Sequence, residues 1–488
     1  MRRIKLHDSL VLLLALGGCI AGYDLGDDGT AGTGEGSSGA GSATTAVGPD
    51  DGTTTAMASD STSGGPLTVG CTLEDPCKLD ILVVMDNSAD TADVQKGVVH
   101  SLVDLVGGLQ HHEPGVEVPV DVQIMFTNTD MGNAVCSPFQ PESYTPALGA
   151  PVGSGCNERI ADFTAAGVGP AVREDACTDL CPTDVVPDDP FLAFYGDAAN
   201  VADVPAIDLD GDGDLDSAAA QAAACLAPQG IIGCGYEAPL AAMARALDPT
   251  QPWNNGPRPF LREGSAVTVI LVSPETECSL DDEDVLLDPQ YQEINPDSGT
   301  AQISSAACWN AGVTDCDDPE AGCSVADEPL APLQRYHDLL VQQLREVEGR
   351  EISMVAITGV PQVTGRSDVP PHAANEGGLE ALHLRGWIDG PYPAGDLLPS
   401  EVEDGVDAAD LEFEYGIGPA CTRVDEATGA EVRGLPSLRA IDACMDVRRQ
   451  AEFTGDIGDR CCIESVCDPR PSLACVEGWI TQDWTIDQ

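Results

Sequence analysis

Three side chains with oxygen atoms stand at every second position directly after one apolar segment of this chain. Asp86, Ser88 and Asp90 come directly after the apolar residues 81–85. Alternating carboxylate and hydroxyl oxygens can converge on one hard cation such as Ca²⁺ or, as a weaker candidate, Mg²⁺. The alternative is that Asp86 and Ser88 only cap the helix that follows and bind no ligand.

A short buried strand and an amphipathic helix are the elements that would position these side chains. The apolar run is too short for a helix, and the next segment has apolar residues on one helical face: Val94, Val98, Leu102, Leu105, Val106 and Leu109. This pattern predicts a strand, a sharp loop and a covering helix. Open α/β sheets bind ligands at the carboxyl ends of their parallel strands, which is where the loop would lie.

The same alternation of strand and helix continues along the chain. Buried strands are predicted at 116–126, 266–272 and 352–358, and helices at 238–247, 333–348 and 437–452. We therefore predict an α/β fold, with a doubly wound, mainly parallel sheet and helices on both faces. The long intervals between strands contain most of the cysteines, so disulfide-rich insertions enlarge this core.

A second candidate cation site is an aspartate-rich loop. Its carboxylates are those of Asp208, Asp210, Asp212, Asp214 and Asp216. Their spacing, with Gly213 at the turn, matches the first nine positions of an EF-hand-type calcium loop. Position twelve is Ala219 instead of a bidentate glutamate. We expect a weak, structural Ca²⁺ site, and the alternative is a solvated acidic loop.

The beginning of the chain has the features of an export signal. Residues 1–19 combine a basic start, an apolar core and the ending Leu16-Gly17-Gly18-Cys19, which resembles a bacterial lipobox. This predicts a lipoprotein signal peptide and acylation of Cys19; the alternative is an ordinary cleaved signal with an incidental cysteine. Residues 20–70 are rich in Gly, Ser, Thr and Asp and predict a disordered tether. The expected location is the cell envelope, with a lipid membrane bound through Cys19.

The cysteine content fits an exported protein. Without Cys19, eighteen of the nineteen cysteines remain, an even number that predicts disulfides. Zinc fits poorly, because the chain has only seven histidines and no pair of CxxC motifs. We expect one local bridge, between Cys225 and Cys234, and leave the other pairings open.

The charge of the chain excludes one class of partner. Asp and Glu number 82 against 22 Lys and Arg, which gives a net charge of −60. Such a surface repels nucleic acid and anionic lipid headgroups. Divalent cations, basic proteins or a salty medium are compatible with it, and solubility in high salt is sufficient to explain the excess.

Four stretches, taken together, resemble one known family. Asp86-x-Ser88 after a buried strand resembles the metal-ion-dependent adhesion motif of von Willebrand factor A-type domains. Residues 233–240, 259–263 and 272–279 resemble exported or lipid-anchored members of that superfamily in myxobacteria-like bacteria. The similarity covers about residues 71–361, and 362–488 would be a cysteine-rich extension packed on the same domain. The resemblance implies a domain that binds a protein or glycan of the envelope or the extracellular space.

The chain departs from the family's adhesion site at three positions. That site has Asp-x-Ser-x-Ser, a Thr from a second loop and an Asp from a third. Here Asp90 replaces the last Ser, residues 230–233 offer no hydroxyl, and Pro274 replaces the Asp. We therefore expect a degenerate site that survives as a helix cap and holds a cation only weakly.

No catalytic motif is found in the chain. It contains no His-Glu-x-x-His, no Gly-x-Ser-x-Gly and no phosphate-binding glycine loop, and Pro114 follows His111-His112-Glu113 directly. The expected function is therefore non-catalytic binding. The alternatives are a structural or scaffold envelope lipoprotein without a ligand and, more remotely, an exported hydrolase.

Overall fold

The structure is a computed structural model. It describes residues 76–110, 120–164, 172–209, 211–314, 323–326, 328–361, 382, 384–425, 428–454 and 460–483. Cys19, the predicted tether and Asp210 lie outside these residues. Contacts group residues 68–488 into one compact unit. In the described part of the chain, no helix combines the length and apolar character needed to cross a membrane.

A seven-stranded sheet forms the centre of this unit. The strands in chain order are β1 Lys78–Met85, β2 Asp121–Asn128, β3 Leu192–Tyr195, β4 Ala198–Ala199, β5 Ala266–Val272, β6 Glu293–Asn295, β7 Thr300–Gln302, β8 Val313–Thr314, β9 Ser324–Val325, β10 Ile352–Thr358, β11 Cys421–Val424, β12 Glu431–Gly434 and β13 Cys461–Ser465. The order across the sheet is β13-β10-β5-β1-β2-β3-β4, and the smaller pairs are β6-β7, β8-β9 and β11-β12. Strands β13, β10, β5, β1 and β2 are parallel, whereas β3 and β4 are antiparallel.

Helices connect and cover these strands. They are α1 Ala92–Gln110, α2 Asp175–Thr178, α3 Ala218–Leu226, α4 Pro239–Ala246, α5 Ala306–Gly312, α6 Leu333–His337, a π-helix Asp338–Val347, α7 Pro399–Asp404, α8 Ala408–Tyr415, α9 Leu438–Thr454 and α10 Ala474–Asp483. Short 3₁₀ turns lie at Ser137–Phe139, Ile160–Phe163 and Glu283–Leu287. Apolar clusters lie on both faces of the sheet: α1 and α3 pack on one, and α4, the π-helix and α9 on the other. The α/β prediction is confirmed at this level.

The strand order creates a crevice at the edge of the sheet. From β1 the chain moves to β2 on one side, and it later returns to β5 on the other side of β1. The connections after β1 and β5 therefore leave in opposite directions, which opens a gap at the carboxyl ends of these two strands. The residues that immediately follow them are Asp86 and Ser273.

Seven described disulfides tie the insertions to this core. They are Cys136–Cys234, Cys156–Cys177, Cys181–Cys225, Cys278–Cys308, Cys421–Cys467, Cys444–Cys461 and Cys462–Cys475. The predicted Cys225–Cys234 bridge is wrong. Cys225 lies in the last turn of α3 and is bonded to Cys181. Cys234 is bonded to Cys136, and its N–H donates to the carboxylate of Asp130 at 3.1 Å. Bridges in this number indicate an oxidising, exported environment.

Candidate functional site

Asp86 is buried at the crevice between β1 and β5. Its side chain is 1% exposed. Oδ1 accepts the backbone N–H of Ser88 at 2.8 Å, and Oδ2 accepts the hydroxyl of Ser273 at 2.7 Å. Burial raises the pKa of Asp86 from 3.8 to about 6, although the hydrogen bonds from Ser273 and Ser88 lower it.

Asp86 and Ser88 do not act as caps of α1 in the described structure. Neither side chain accepts an N–H from the helix, which begins at Ala92. The turn before the helix is instead held by Thr91, whose hydroxyl donates to the carbonyl of Ser88 at 2.8 Å. Gln95 then donates to the carbonyl of Asp86 at 2.9 Å. Because other residues hold the turn, helix capping does not explain the Asp86 carboxylate.

The third residue of the motif lies at the rim of the crevice. Asp90 is exposed, and its Oδ1 accepts the hydroxyl of Ser88 at 3.4 Å, whereas Ser88 is 3% exposed. The motif therefore presents one buried carboxylate, one buried hydroxyl and one solvent-facing carboxylate.

Glu237, which the sequence analysis did not nominate, reaches the same crevice from the loop before α4. It is 1% exposed, and Thr129, which follows β2 directly, donates its hydroxyl to Oε2. Oε1 is buried and has no hydrogen-bond partner. Burial raises the pKa of Glu237 well above its ordinary value, and the negative charges of Asp86 and Glu275 raise it further.

Glu275 supplies a third buried carboxylate from the loop after β5. It is 8% exposed, and its carboxylate accepts no hydrogen bond from the described residues. Burial raises the pKa of Glu275 well above the ordinary value, with the charges of Asp90 and Asp86 as the next contributions. Pro274 offers no side-chain ligand, so Glu275 is the acid that the loop after β5 contributes to the site.

Two other acids near the crevice are held by several hydrogen bonds or by an ion pair inside the protein. Asp130 accepts hydrogen bonds from Gln140, Tyr144 and two backbone N–H groups, at 2.7–3.1 Å. Glu277 forms a buried ion pair with Arg439 at 2.8 Å. Among the described acids of the crevice, Glu237 alone has a completely buried carboxylate oxygen without a hydrogen-bond partner, whereas both oxygens of Asp86 accept hydrogen bonds.

The loop at residues 230–233, assigned as the second site loop from the sequence, supports the first loop without contributing a hydroxyl. The N–H of Gly233 donates to the carbonyl of Asn87 at 2.7 Å. A Cβ at Gly233 would lie 2.2 Å from Oδ1 of Asn87, so a larger residue there would require the Asn87 side chain to move. The hydroxyl oxygens near the crevice come instead from Ser88, Thr129 and Ser273.

The carboxylates of the crevice are not close enough together to chelate an ion by themselves. Among the described residues, the one set of three acidic, histidine or cysteine ligand atoms within 4.8 Å of one another is Cys181, Asp184 and Cys225. Cys181 and Cys225 form a disulfide and cannot act as thiolate ligands. An ion in the crevice would therefore also need hydroxyl and water oxygens, which both Ca²⁺ and Mg²⁺ accept.

The aspartate-rich loop lies apart from this crevice, in the connection before α3. Asp208 and Asp212 are exposed and accept backbone N–H groups of Gly211 and Asp214 at 2.8 and 2.7 Å. Asp216 is half-buried and accepts the N–H of Leu209 at 2.7 Å. These contacts shape the loop, and its predicted Ca²⁺ site stays a prediction.

Comparison with protein-family models, with curated proteins and with solved structures found no match for this chain in any of the three.

Proposed function

We propose that this protein is an exported, non-catalytic binding protein whose sheet-edge crevice holds a divalent cation, and that the cation takes part in binding an envelope or extracellular partner. The observation that carries the proposal is the environment of Glu237. Its Oε1 is buried without a partner, and the neighbouring charges of Asp86 and Glu275 repel it. Ionisation of such a buried carboxyl is costly without a counter-charge, and a cation bound nearby lowers that cost.

The ligand set available to the cation is asymmetric. Asp86, Glu237 and Glu275 supply buried carboxylates, and Ser88 and Ser273 supply hydroxyls. Asp90 lies on the exposed side. A cation bound by these buried oxygens keeps coordination positions that face solvent, where an oxygen atom of the partner can replace water.

The doubly wound sheet with Asp86-x-Ser88 at the crevice supports a von Willebrand A-like domain. In that proposal the family's adhesion site is altered rather than lost: Glu237 and Glu275 provide the acids that the loops at 230–233 and Pro274 do not. Acylation of Cys19 would anchor the domain to a membrane, with residues 20–70 as its tether.

Titration calorimetry with Mg²⁺, Ca²⁺ and Mn²⁺ tests the proposal on the oxidised protein. We expect wild type to bind a cation and Glu237→Gln to lose that binding, because glutamine keeps the shape and can still accept the Thr129 hydroxyl. Glu263→Gln, which alters an exposed acid, is the matched control and should bind as wild type does. Equal binding by Glu237→Gln and wild type would contradict the proposal and favour the alternative function, a scaffold lipoprotein without a ligand.

A further inference from the structure

Two exposed acids from distant parts of the chain lie at the solvent side of the crevice. Asp90 belongs to the loop before α1, and Glu414 to the last turn of α8. Burial raises the pKa of Glu275, and the charges of Asp90, Asp86 and Glu414 raise it further. Charges shift a pKa strongly only at short range, so both exposed acids are neighbours of Glu275. We call Asp90 and Glu414 the rim acids.

Glu275 connects the rim acids with the interior of the crevice. Its side chain is 8% exposed, and no described residue donates a hydrogen bond to its carboxylate. Asp90 is the largest contributor among its charged neighbours, so this carboxylate faces the rim. A buried carboxylate without a donor gains from a cationic group that reaches it. The rim acids therefore differ from other exposed acids of this chain, because they lie next to an unpartnered buried one.

Arg433 also approaches this cluster, but its charge is already engaged. Its guanidinium forms an ion pair with Glu401, and Nη2 donates to the hydroxyl of Tyr415 at 2.8 Å. The Tyr415 hydroxyl in turn donates to the carboxylate of Glu414. Arg433 thus holds Glu414 in place through Tyr415, while Glu401 balances the charge of the guanidinium.

The charges of the crevice and the rim acids do not balance when one divalent cation is bound. The three buried carboxylates carry three negative charges once the cation favours their ionised forms, and the rim acids add two more. The cation offsets two of these five charges. The negative charge that remains on the solvent side attracts a cationic group and repels an anionic one.

A basic side chain fits this position better than a second metal ion. A second divalent cation would be repelled strongly by the first, whereas a monovalent ammonium or guanidinium group is repelled less. Lysine and arginine carry only hydrogen-bond donors, which match the acceptor-only carboxylates. The net charge of −60 also attracts a basic protein from a distance, while it repels nucleic acid and acidic peptides.

We infer that the partner is a basic protein that places a lysine or arginine side chain among Asp90, Glu414 and Glu275, beside the bound cation. The inference rests on the proposed function, since it names the chemistry of that function's partner. An oxygen atom of the partner can coordinate the cation, and the basic side chain then fixes the orientation in which the partner docks.

Fluorescence anisotropy with labelled hexalysine, in Mg²⁺ and about 0.15 M salt at pH 7.5, tests this inference. Glu414→Gln should weaken binding about five- to tenfold, the effect of losing one charged hydrogen-bond partner. Glutamine keeps the shape of the side chain and can still accept the Tyr415 hydroxyl. Asp90→Asn should weaken binding to a similar extent, and hexalysine with acetylated side chains should not bind to wild type.

Glu263→Gln is the matched control, because it removes the same charge from an exposed acid near the beginning of β1. It should bind hexalysine nearly as wild type does. Retained Mg²⁺ binding by Glu414→Gln would show that this variant is folded. Equal affinity of Glu414→Gln and wild type overturns the inference. An equal loss in Glu414→Gln and Glu263→Gln also overturns it, because the peptide would then respond only to the net charge.

Two further measurements separate the sources of failure. Spermine that binds more tightly than hexalysine, with the same dependence on Glu414, would replace the partner protein with a free polyamine and overturn the inference. Calorimetry with Mg²⁺ tests the proposed function independently. A Glu414 effect without cation binding contradicts only the proposed cation site, whereas cation binding without a Glu414 effect contradicts only the basic partner.

Discussion

Asp86→Asn isolates the charge of one buried carboxylate from its contacts. An asparagine at this position has the same shape, and its Oδ1 can accept the Ser88 N–H that Asp86 accepts at 2.8 Å. Its Nδ2 can donate to Oγ of Ser273, which in the wild-type protein donates to Asp86 at 2.7 Å. The substitution therefore removes a negative charge and keeps both hydrogen bonds.

The size of the effect follows from the pKa of Asp86, which burial raises from 3.8 to about 6. A rise of about 2 in pKa corresponds to roughly 3 kcal/mol. A raised pKa means that the folded protein favours the neutral acid, so this stability is present below pH 3.8 and is lost as the pH rises to about 6 and beyond. Without a cation at pH 7.5, Asp86→Asn should thus be more stable than wild type by up to roughly 3 kcal/mol.

Divalent cations should reduce this difference in stability. A ligand at a hundred times its dissociation constant stabilises the folded state by about 2.7 kcal/mol, and wild type should gain this while Asp86→Asn should gain less. Thermal and urea unfolding in EDTA and in Mg²⁺, at pH 4 and pH 7.5, measures the differences. In a body of about 400 residues, 3 kcal/mol corresponds to roughly 3–4 °C in Tm.

Two results would refute the reasoning. If Asp86→Asn is no more stable than wild type in EDTA at pH 7.5, the carboxylate is not an uncompensated buried charge. If Mg²⁺ stabilises both proteins equally, the cation does not bind at Asp86. Glu263→Gln, at an exposed position, should follow wild type in every condition.

Three other predictions concern separate parts of the chain. Millimolar Ca²⁺ should raise the Tm further by binding to the aspartate-rich loop. The double substitution Asp210→Asn and Asp212→Asn should remove only that part of the rise, and an unchanged rise contradicts a Ca²⁺ site there. A peptide map of the unreduced protein should contain Cys181 joined to Cys225, and reducing all bridges should cost well over the roughly 2–5 kcal/mol of one bridge; a different partner for Cys225 contradicts the fold of this insertion. Native protein should partition into detergent, and Cys19→Ser should not; equal partitioning contradicts the lipid anchor.

The parallel strands at the centre of the sheet could be predicted from the sequence, while its edges could not. The predicted strands 266–272 and 352–358 coincide with β5 and β10, because strands buried on both faces are apolar throughout. Strand β3 alternates between buried and exposed residues, and β13 has the sequence Cys-Cys-Ile-Glu-Ser, so neither has that signal. Their places depend on pairing with β2 and β10, which are distant in the sequence.

In the candidate site, too, local motifs could be predicted from the sequence, but contacts between residues distant in the sequence could not. The spacing of Asp86, Ser88 and Asp90 after a strand was sufficient to predict the first loop. Glu237 approaches Thr129 across 108 residues, and no local pattern encodes that contact. One signal was present: Thr129 and Asp130 follow β2 directly, just as Asp86 follows β1, and parallel strands bring such residues to one edge.

The acid excess has two components, and only one is explained by solubility. Acids on the surface keep a protein hydrated in a salty medium, but a glutamate that is 1% exposed does not. Elsewhere in the core the chain neutralises such acids with its own arginines, as in the pairs Arg262–Asp80 at 2.7 Å and Arg439–Glu277 at 2.8 Å. Near the crevice, burial raises the pKa of Glu275, and Arg433 opposes this rise only weakly. The Arg433 guanidinium is already paired with Glu401 and lies over the rings of Trp387 and Tyr415. Glu237 has no such arginine partner, so without a cation burial favours its neutral acid, and its ionised form needs a counter-charge from solution; this is the physical reason to expect a cation at this edge of the sheet.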